Sequence, residues 1–381
     1  MCQKNYDVVV CGGGVAGISA AIAAARQGMK TALIEKQCLL GGLATSGLIY
    51  IYLPLCDGFG NQVLKGISEE MIRRCVEYGP FDVPESWGGP EGGNPGISGK
   101  RFQCCFSPAG FTLTLDKMLQ EAGVDLWLDS MIIDAETDGR DLRSVTVANA
   151  SGQVKVEAKC FVDATGSAYV VQIAGGKVFR HENFLTPWIV ENSENPEYFQ
   201  IDGPLHVKCE GAIKDEFKYQ NCDNGKLVTG FVRKSWEMIR KRYDVLSEKK
   251  RKKNYPVHLP AMPQLRKIGR INALYTLEEP TQKIRFEDSI GLIPDWRKSS
   301  EPWDTPYRSL VPADLNNLLA AGRCMGTAGE AWEVYRVIPV AAYTGEVAGL
   351  AASIAVKDGV TPADIDFKKL KSKLPGTGEK A

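Results

Sequence analysis

Residues 7–35, DVVVCGGGVAGISAAIAAARQGMKTALIE, constrain the fold of this chain more than any other stretch. Val8, Val9 and Val10 form an apolar run that enters Gly12-x-Gly14-x-x-Gly17. An alanine-rich helix follows, then a second apolar run, Thr31 to Ile34, that ends in an acid, Glu35. Strand, tight turn, helix and second strand make a βαβ unit. The first glycine permits the turn, the second lets the backbone approach a pyrophosphate, and the third lets the helix pack close to the strand. The helix start, with Ala16 on its first turn, supplies N–H donors and partial positive charge. Glu35 stands where a carboxylate accepts hydrogen bonds from a ribose. These spacings predict a bound dinucleotide.

At 381 residues the chain is long enough for two domains, or for one large domain carrying an insertion. Hydrophobic residues make up 44% of it, enough for a sizeable core, and 46 basic residues balance 46 acidic ones. A neutral chain has no general attraction to nucleic acid, and the one basic block, Lys249 to Lys253, reads as a solvated helix end or loop. The sequence has no run of about 18 uninterrupted apolar residues that would suggest a membrane span. The first strand begins within a few residues of Met1, which leaves no room for a signal peptide and predicts a cytoplasmic protein. The eleven cysteines are irregularly spaced and form no CxxC, which argues against a disulfide framework, a zinc site or a redox dithiol. No metal is expected.

A second glycine-rich turn follows, Leu40-Gly41-Gly42-Leu43-Ala44-Thr45-Ser46-Gly47, and two further pieces repeat the strand-then-glycine pattern: Val162-Asp163-Ala164-Thr165-Gly166-Ser167-Ala168 and Asn317-Leu318-Leu319-Ala320-Ala321-Gly322-Arg323-Cys324. With GGGVAG at the start and GEAWEVYRVIPVAAYTGEVAGLAA near the end, this order resembles the FAD-dependent oxidoreductases of the glutathione-reductase structural superfamily. Within it, the chain is most similar to the broad bacterial family of that name, a distant relation of the fumarate reductase and succinate dehydrogenase flavoproteins. The resemblance covers most of the chain, including the Arg-rich stretch Arg266 to Ile271 and Thr305 to Pro312.

The resemblance implies an α/β fold: a three-layer FAD-binding Rossmann-like domain of glutathione-reductase type, with an inserted α+β substrate domain. Cofactor motifs at both ends and in the middle make the FAD domain discontinuous, over 1–55, 112–180 and 308–381. Residues 56–111 and 181–307 are left to the substrate domain. FAD is expected to bind non-covalently, with Gly12, Gly14, Ala16 and Gly17 at the pyrophosphate and Glu35 and Lys36 at the adenosine ribose. Gly42, Leu43, Ala44 and Thr45 would line the path to the isoalloxazine, and Ile132 the adenine. Ala164, Thr165 and Gly166 would form a turn beside the cofactor, with Gly322 and Arg323 near the ribityl phosphate. A helix starting near Pro339, with Val340 behind it, would aim its positive end at charge developing on the reduced flavin.

The chemistry of substrate turnover is less strongly marked. Arg336, three residues before Pro339, should sit near the flavin, unless it pairs with Glu330 or Glu333. Glu330, read as part of a loop entering the site, is a candidate proton acceptor; where the family often carries His before this acid, the chain has Gly329. Arg266 and Arg270, separated by two positions from Ile268, would share one face of a strand and form a guanidinium fork for a polar substrate. Tyr307 and Tyr335 would close the cleft. His258 is retained as a candidate, while His181 and His206 read as structural. Trp87, Trp296 and Trp303 lie in loop-like segments, and the Gly/Pro-rich run 84–99 reads as a loop. Helices are expected over 63–77 and 234–249, and a strand over 124–134.

No second GxGxxG occurs, so electrons are expected to pass through the substrate, through a diffusible acceptor or donor, or through a partner protein. The reading is an FAD oxidoreductase moving two electrons to or from a small polar molecule. Alternatives are a reductase of a conjugated C=C bond, a redox-neutral flavin isomerase or lyase, and a non-catalytic flavin subunit. Homo-oligomerisation is left open.

Overall fold

The computed structural model describes residues 2–59, 61–79, 81–83, 104–192, 218–281 and 284–376. The 84–99 run, with Trp87, and His206 lie outside the described residues.

A seven-stranded sheet organises the molecule. Its strands are β1 (Cys2–Cys11), β2 (Thr31–Ile34), β3 (Asp125–Trp127), β4 (Met131–Asp138), β5 (Asp141–Asn149), β6 (Gly152–Asp163) and β7 (Leu318–Ala320). The order is β3-β2-β1-β6-β5-β4. The C-terminal end of β6 also pairs with β7, while its N-terminal half pairs with β5. β1, β2, β3, β6 and β7 are parallel, and β4-β5-β6 form an antiparallel meander. Val8 and Val10 enter one core and Val9 and Cys11 the other, so alternate side chains of β1 are buried on opposite faces. This is why the first strand is a continuous apolar run and does not alternate.

The helices are α1 (Val15–Arg26), α2 (Ile67–Cys75), α3 (Pro108–Ala122), α4 (Tyr169–Ile173), α5 (Gly225–Asp244), α6 (Glu248–Arg251), α7 (Gly329–Tyr335), α8 (Ile338–Asp358) and α9 (Phe367–Lys371). α1 and α8 pack with almost no space between backbones. A Cβ on Gly345 would overlap the Ala16 carbonyl oxygen, and one on Gly349 would overlap that of Ala20. The alanines of α1 and the glycines of α8 are therefore one feature, a close helix crossing that larger side chains would pry apart. α8 has the length and composition of a membrane-crossing helix, but most of it is buried inside this core.

Several elements differ from sequence expectation at identifiable residues. The expected helix 63–77 starts later, after Gly66 at φ +72°, and its last turn is a 3-10 turn, Val76–Tyr78. The expected strand 124–134 is broken into β3 and β4 at Asp129, which takes φ +47°. The expected helix 234–249 begins nine residues earlier, at Gly225, because the Asn224 side chain caps it by accepting from Leu227 N–H. It ends at Asp244, and Ser247 caps the separate, exposed α6, which contains part of the basic block. Among the described residues, nine cysteines are free thiols. Among the described residues, no cluster of metal-ligand type occurs.

Candidate active site

The start of α1 is a surface made of backbone. Gly12 takes φ +106°, and a Cβ there would sit 2.7 Å from the Ala164 oxygen, so the first turn lies directly against the end of β6. A Cβ on Gly17 would overlap the Gly12 carbonyl oxygen. Gly14 is different: it caps α1 with φ −72°, and no heavy atom lies within 4 Å of where its Cβ would be. No side chain caps the helix, which leaves its first N–H groups without a side-chain acceptor. An uncapped helix start behind an open glycine fits a pyrophosphate.

Glu35 lies beside this cradle and is buried. Its carboxylate accepts from Gly13 N–H at 2.6 Å and Gln37 N–H at 2.9 Å, which fixes its orientation and leaves acceptor capacity for a ribose hydroxyl. Ser130 N–H donates to the Glu35 carbonyl at 3.0 Å, so the entry to β4, where Ile132 is buried, lies next to it. Lys36 points to solvent. The second glycine turn packs on the first, with Gly41 N–H donating to the Gly13 carbonyl at 2.8 Å and a Gly42 Cβ position 3.2 Å from Gly14 Cα. Gly42–Ala44, with Leu43 between, form one 3-10 turn, and the Thr45 hydroxyl donates to the Leu40 carbonyl.

The end of β6 and the residues after β7 complete the site. Asp163, which sequence reasoning quoted without a role, accepts from Thr165 N–H at 3.0 Å, Thr165 Oγ1 at 2.7 Å and Val171 N–H at 3.0 Å. An acid two residues before Thr, at a strand end, is the signal of an Asx-type turn that would have identified it. Full burial raises its pKa even against those bonds. Gly166 is in contact with Arg323: a Cβ there would lie 2.5 Å from Arg323 Nε. Gly322 brings both long helices together, since its Cβ position is 2.9 Å from Ala16 Cβ and 3.5 Å from Ala341 Cβ. The first turns of α1 and α8 therefore converge, and α8, like α1, has no side-chain cap, with Pro339 in its first turn and Val340 buried behind it. The cradle, the ribose acid and two uncapped helix starts fit FAD.

Beyond Gly322 the surface is made of charged side chains. Arg336 donates to one oxygen of Glu333 through two nitrogens, with Nε at 2.7 Å and Nη2 at 2.6 Å from Oε2, and its guanidinium lies 5.8 Å from the Trp296 ring and 6.0 Å from that of Phe184. Lys267 Nζ reaches Glu333 Oε1 at 2.8 Å. Burial works against the Glu333 carboxylate, yet Arg336 and Lys267 hold it down to about 2. Arg266 is 6% exposed and donates to the Gln264 carbonyl at 2.6 Å and Thr186 Oγ1 at 3.2 Å. Burial first, then the nearby Arg336 and Arg323, lower its guanidinium to about 9. Arg323 donates to the Leu265 carbonyl, and burial lowers its pKa.

The structure separates other candidates. Arg266 and Arg270 do not share a strand face, because the strand is just Gly269–Ile271 and Arg266 precedes it. Arg270 stacks 4.2 Å from the Phe179 ring centroid. Tyr307 is buried and donates to the Pro362 carbonyl at 2.8 Å, and Tyr335 hydrogen-bonds to Thr305 Oγ1 at 2.7 Å, so both brace the interior and neither closes a cleft. Glu330 lies in the first turn of α7, not in a loop, and is held by Arg297 at 2.6 Å. His258 lies on an exposed strand opposite Val190, and His181 packs edge-on against Trp332. Trp303 is fully buried, whereas Trp296 donates to the Glu333 carbonyl at 2.8 Å. Sequence reasoning missed Lys267 and Gln264. Reading 266–271 as an alternating strand drew attention away from them.

Known proteins match this arrangement to different extents. A digeranylgeranylglycerophospholipid reductase of Picrophilus torridus is 30% identical over 179 residues, 43% of this chain and 40% of the relative. The soluble pyridine nucleotide transhydrogenase of Chromohalobacter salexigens is 53% identical over 45 residues, 12% of this chain and 10% of the relative. The chain thus matches well under half the length of these curated relatives. Among solved structures, a geranylgeranyl bacteriochlorophyll reductase-like protein from Thermoplasma acidophilum aligns with 97% of this chain and 82% of its own, at 16% identity and TM-score 0.45. The p-nitrophenol 4-monooxygenase of Pseudomonas putida aligns with 98% and 84%, at 11% identity and TM-score 0.48. The profile of the family described as "FAD dependent oxidoreductase" matches residues 7–183 and 228–374, and the chain belongs to that family.

Proposed function

We propose that the protein catalyses two-electron oxidation or reduction of a small polar organic molecule, with FAD held non-covalently and a separate electron donor or acceptor. The observation that carries this reading is the open glycine cradle at α1, flanked by the oriented Glu35 carboxylate. Bound there, FAD would supply the hydride chemistry. Gly12, Gly14, Ala16 and Gly17 would hold its pyrophosphate, Glu35 a ribose, and the uncapped start of α8 would favour negative charge placed before it. Residues 56–111 and 181–307 would act as a substrate-covering domain. Within that domain Arg266 and Lys267, with Arg336 facing them, would orient the substrate. Glu330, tied to Arg297, remains a proton acceptor in this reading once that ion pair opens. The reductive direction draws support from two curated relatives, both digeranylgeranylglycerophospholipid reductases by name.

The test is the absorbance spectrum of purified protein before and after acid precipitation, followed by anaerobic titration with sugars, hydroxy acids, amines and enoates. Flavin released as FAD, and bleaching by one compound class, are expected. A colourless protein that takes up no added FAD would sink the reading.

A further inference from the structure

Arg266, Lys267, Arg323 and Arg336 lie together, and the acid that faces them is Glu333. Glu333 is shared by Lys267 and Arg336 and bonds to neither Arg266 nor Arg323. Among the described residues, the hydrogen-bond acceptors of those two guanidiniums are carbonyls and one threonine hydroxyl. Placing Arg323 against the dinucleotide still leaves Arg266, Lys267 and Arg336 opposite a single carboxylate. Unbalanced buried cations cost several kcal/mol each, so a site that keeps them implies a use for the surplus charge.

The wall beside the cluster is also incomplete. Gln264 donates through Nε2 to the Gly47 carbonyl at 2.6 Å and the Trp188 carbonyl at 3.0 Å, and its own carbonyl holds Arg266. This joins the second glycine turn to the cluster. On that joint, Ser46 Oγ and Trp188 Nε1 are buried polar atoms without a hydrogen-bond partner among the described residues, on side chains 3% and 4% exposed. Native interiors seldom leave such groups unpaired unless a ligand or water meets them.

We propose that Arg336, backed by Arg266 and Lys267, is the anion-binding subsite of the reaction centre, and that the substrate carries an oxyanion, a carboxylate or a phosphate. This rests on the redox reading of the same site. Arg336 is the group best suited to grip the anion: Glu333 holds its Nε and Nη2, Nη1 makes no hydrogen bond among the described residues, and the Phe184 and Trp296 rings lie 6.0 and 5.8 Å from the guanidinium. Ser46 and Trp188 would donate to the remainder of the molecule.

The test is calorimetric titration of the purified holoenzyme with succinate, inorganic phosphate and succinamide, the neutral isostere of succinate, at low and high salt. Succinate or phosphate should bind about ten- to a hundredfold more tightly than succinamide, the range of one charge-assisted contact, and should weaken with salt. Succinate binding alone assigns a carboxylate substrate, and phosphate binding alone a phosphorylated one. Arg336→Gln should lose the anion preference and Arg336→Lys should keep part of it, each with the flavin spectrum unchanged. Neither anion binding more tightly than succinamide, or unaltered anion binding in Arg336→Gln, would overturn the proposal. Where Arg336→Gln does not fold, the comparison of succinate with succinamide on the unmodified protein decides. A protein that binds no FAD fails the redox reading separately, since the titration reads binding without turnover.

Discussion

At the start of α1 the binding surface is backbone, whereas around Arg336 it is charged side chain. The cradle holds its shape because glycine lets main chain approach main chain, at Gly12 against Ala164, Gly42 against Gly14 and Gly345 against Ala16. Its attraction for an anion comes from N–H groups that the helix itself leaves without an intrahelical partner. The cluster around Glu333 instead holds four long cations in place with one carboxylate, several carbonyls and two aromatic rings. The first design tolerates no added atom at Gly12 or Gly17 but is electrically quiet. The second tolerates changes of shape and depends on every charge.

The largest effect is therefore expected in the charged region. Glu333→Gln leaves Arg336 and Lys267 buried without their acid and should cost about 4 kcal/mol, in the range for breaking a buried pair. The same residue sets an acid limb. Its carboxylate titrates at about 2 in the folded protein against an ordinary 4.5, so the unfolded chain takes up the proton first as pH falls. Stability is present above pH 4.5 and drains away towards pH 2 by about 3 kcal/mol. Chemical denaturation across that window should show the slope in the native protein and a flatter profile in Glu333→Gln. A slope that survives the substitution would assign the acid limb elsewhere.

Two glycine substitutions separate shape from ligand inside the cradle. Gly17→Ala puts a methyl group into the Gly12 carbonyl oxygen and should lower stability by about 3 kcal/mol, the upper end for overpacking. Its thermal midpoint would fall with or without added FAD. Gly14→Ala meets no neighbour and has an ordinary φ, so its stability without FAD should change by less than about 0.5 kcal/mol. The methyl would nonetheless occupy the space before the helix start, and FAD retained through gel filtration should drop at least about tenfold. Gly14→Ala protein that keeps its flavin would show that the pyrophosphate lies elsewhere.

What could be read from the sequence follows the same division. Gly12, Gly14, Gly17 and Glu35 are legible because backbone contacts demand particular residue types at fixed spacing, and the structure brings them together in a few ångströms. The alanines of α1 signalled a helix but not its partner, since Gly345 and Gly349 lie more than 300 residues away in the chain. Arg266, Lys267 and Glu333 carry no such grammar. A guanidinium reaches its partner on a stem of three methylenes from almost any backbone position, so the alternation of Arg266 with Arg270 suggested a strand face that Gly269 begins too late to provide. Tyr307 and Tyr335 misled for a related reason: a hydroxyl-bearing ring serves an interior hydrogen bond as readily as a cleft.

The smallest expected effect tests whether the two regions act independently. Glu35→Gln keeps the size of the side chain and one acceptor oxygen, so one of the Gly13 and Gln37 N–H bonds survives. The substitution removes the negative charge, and with it the stronger, charge-assisted bonds both to those N–H groups and to a ribose. FAD affinity should fall about tenfold, equivalent to roughly 1.4 kcal/mol, while the succinate affinity of the flavin-loaded variant should match that of the native protein. Additivity of this kind is expected for groups with no shared partner. If Glu35→Gln weakens succinate binding as well, the cofactor orders the anion subsite, and the charged region depends on the cradle for its shape.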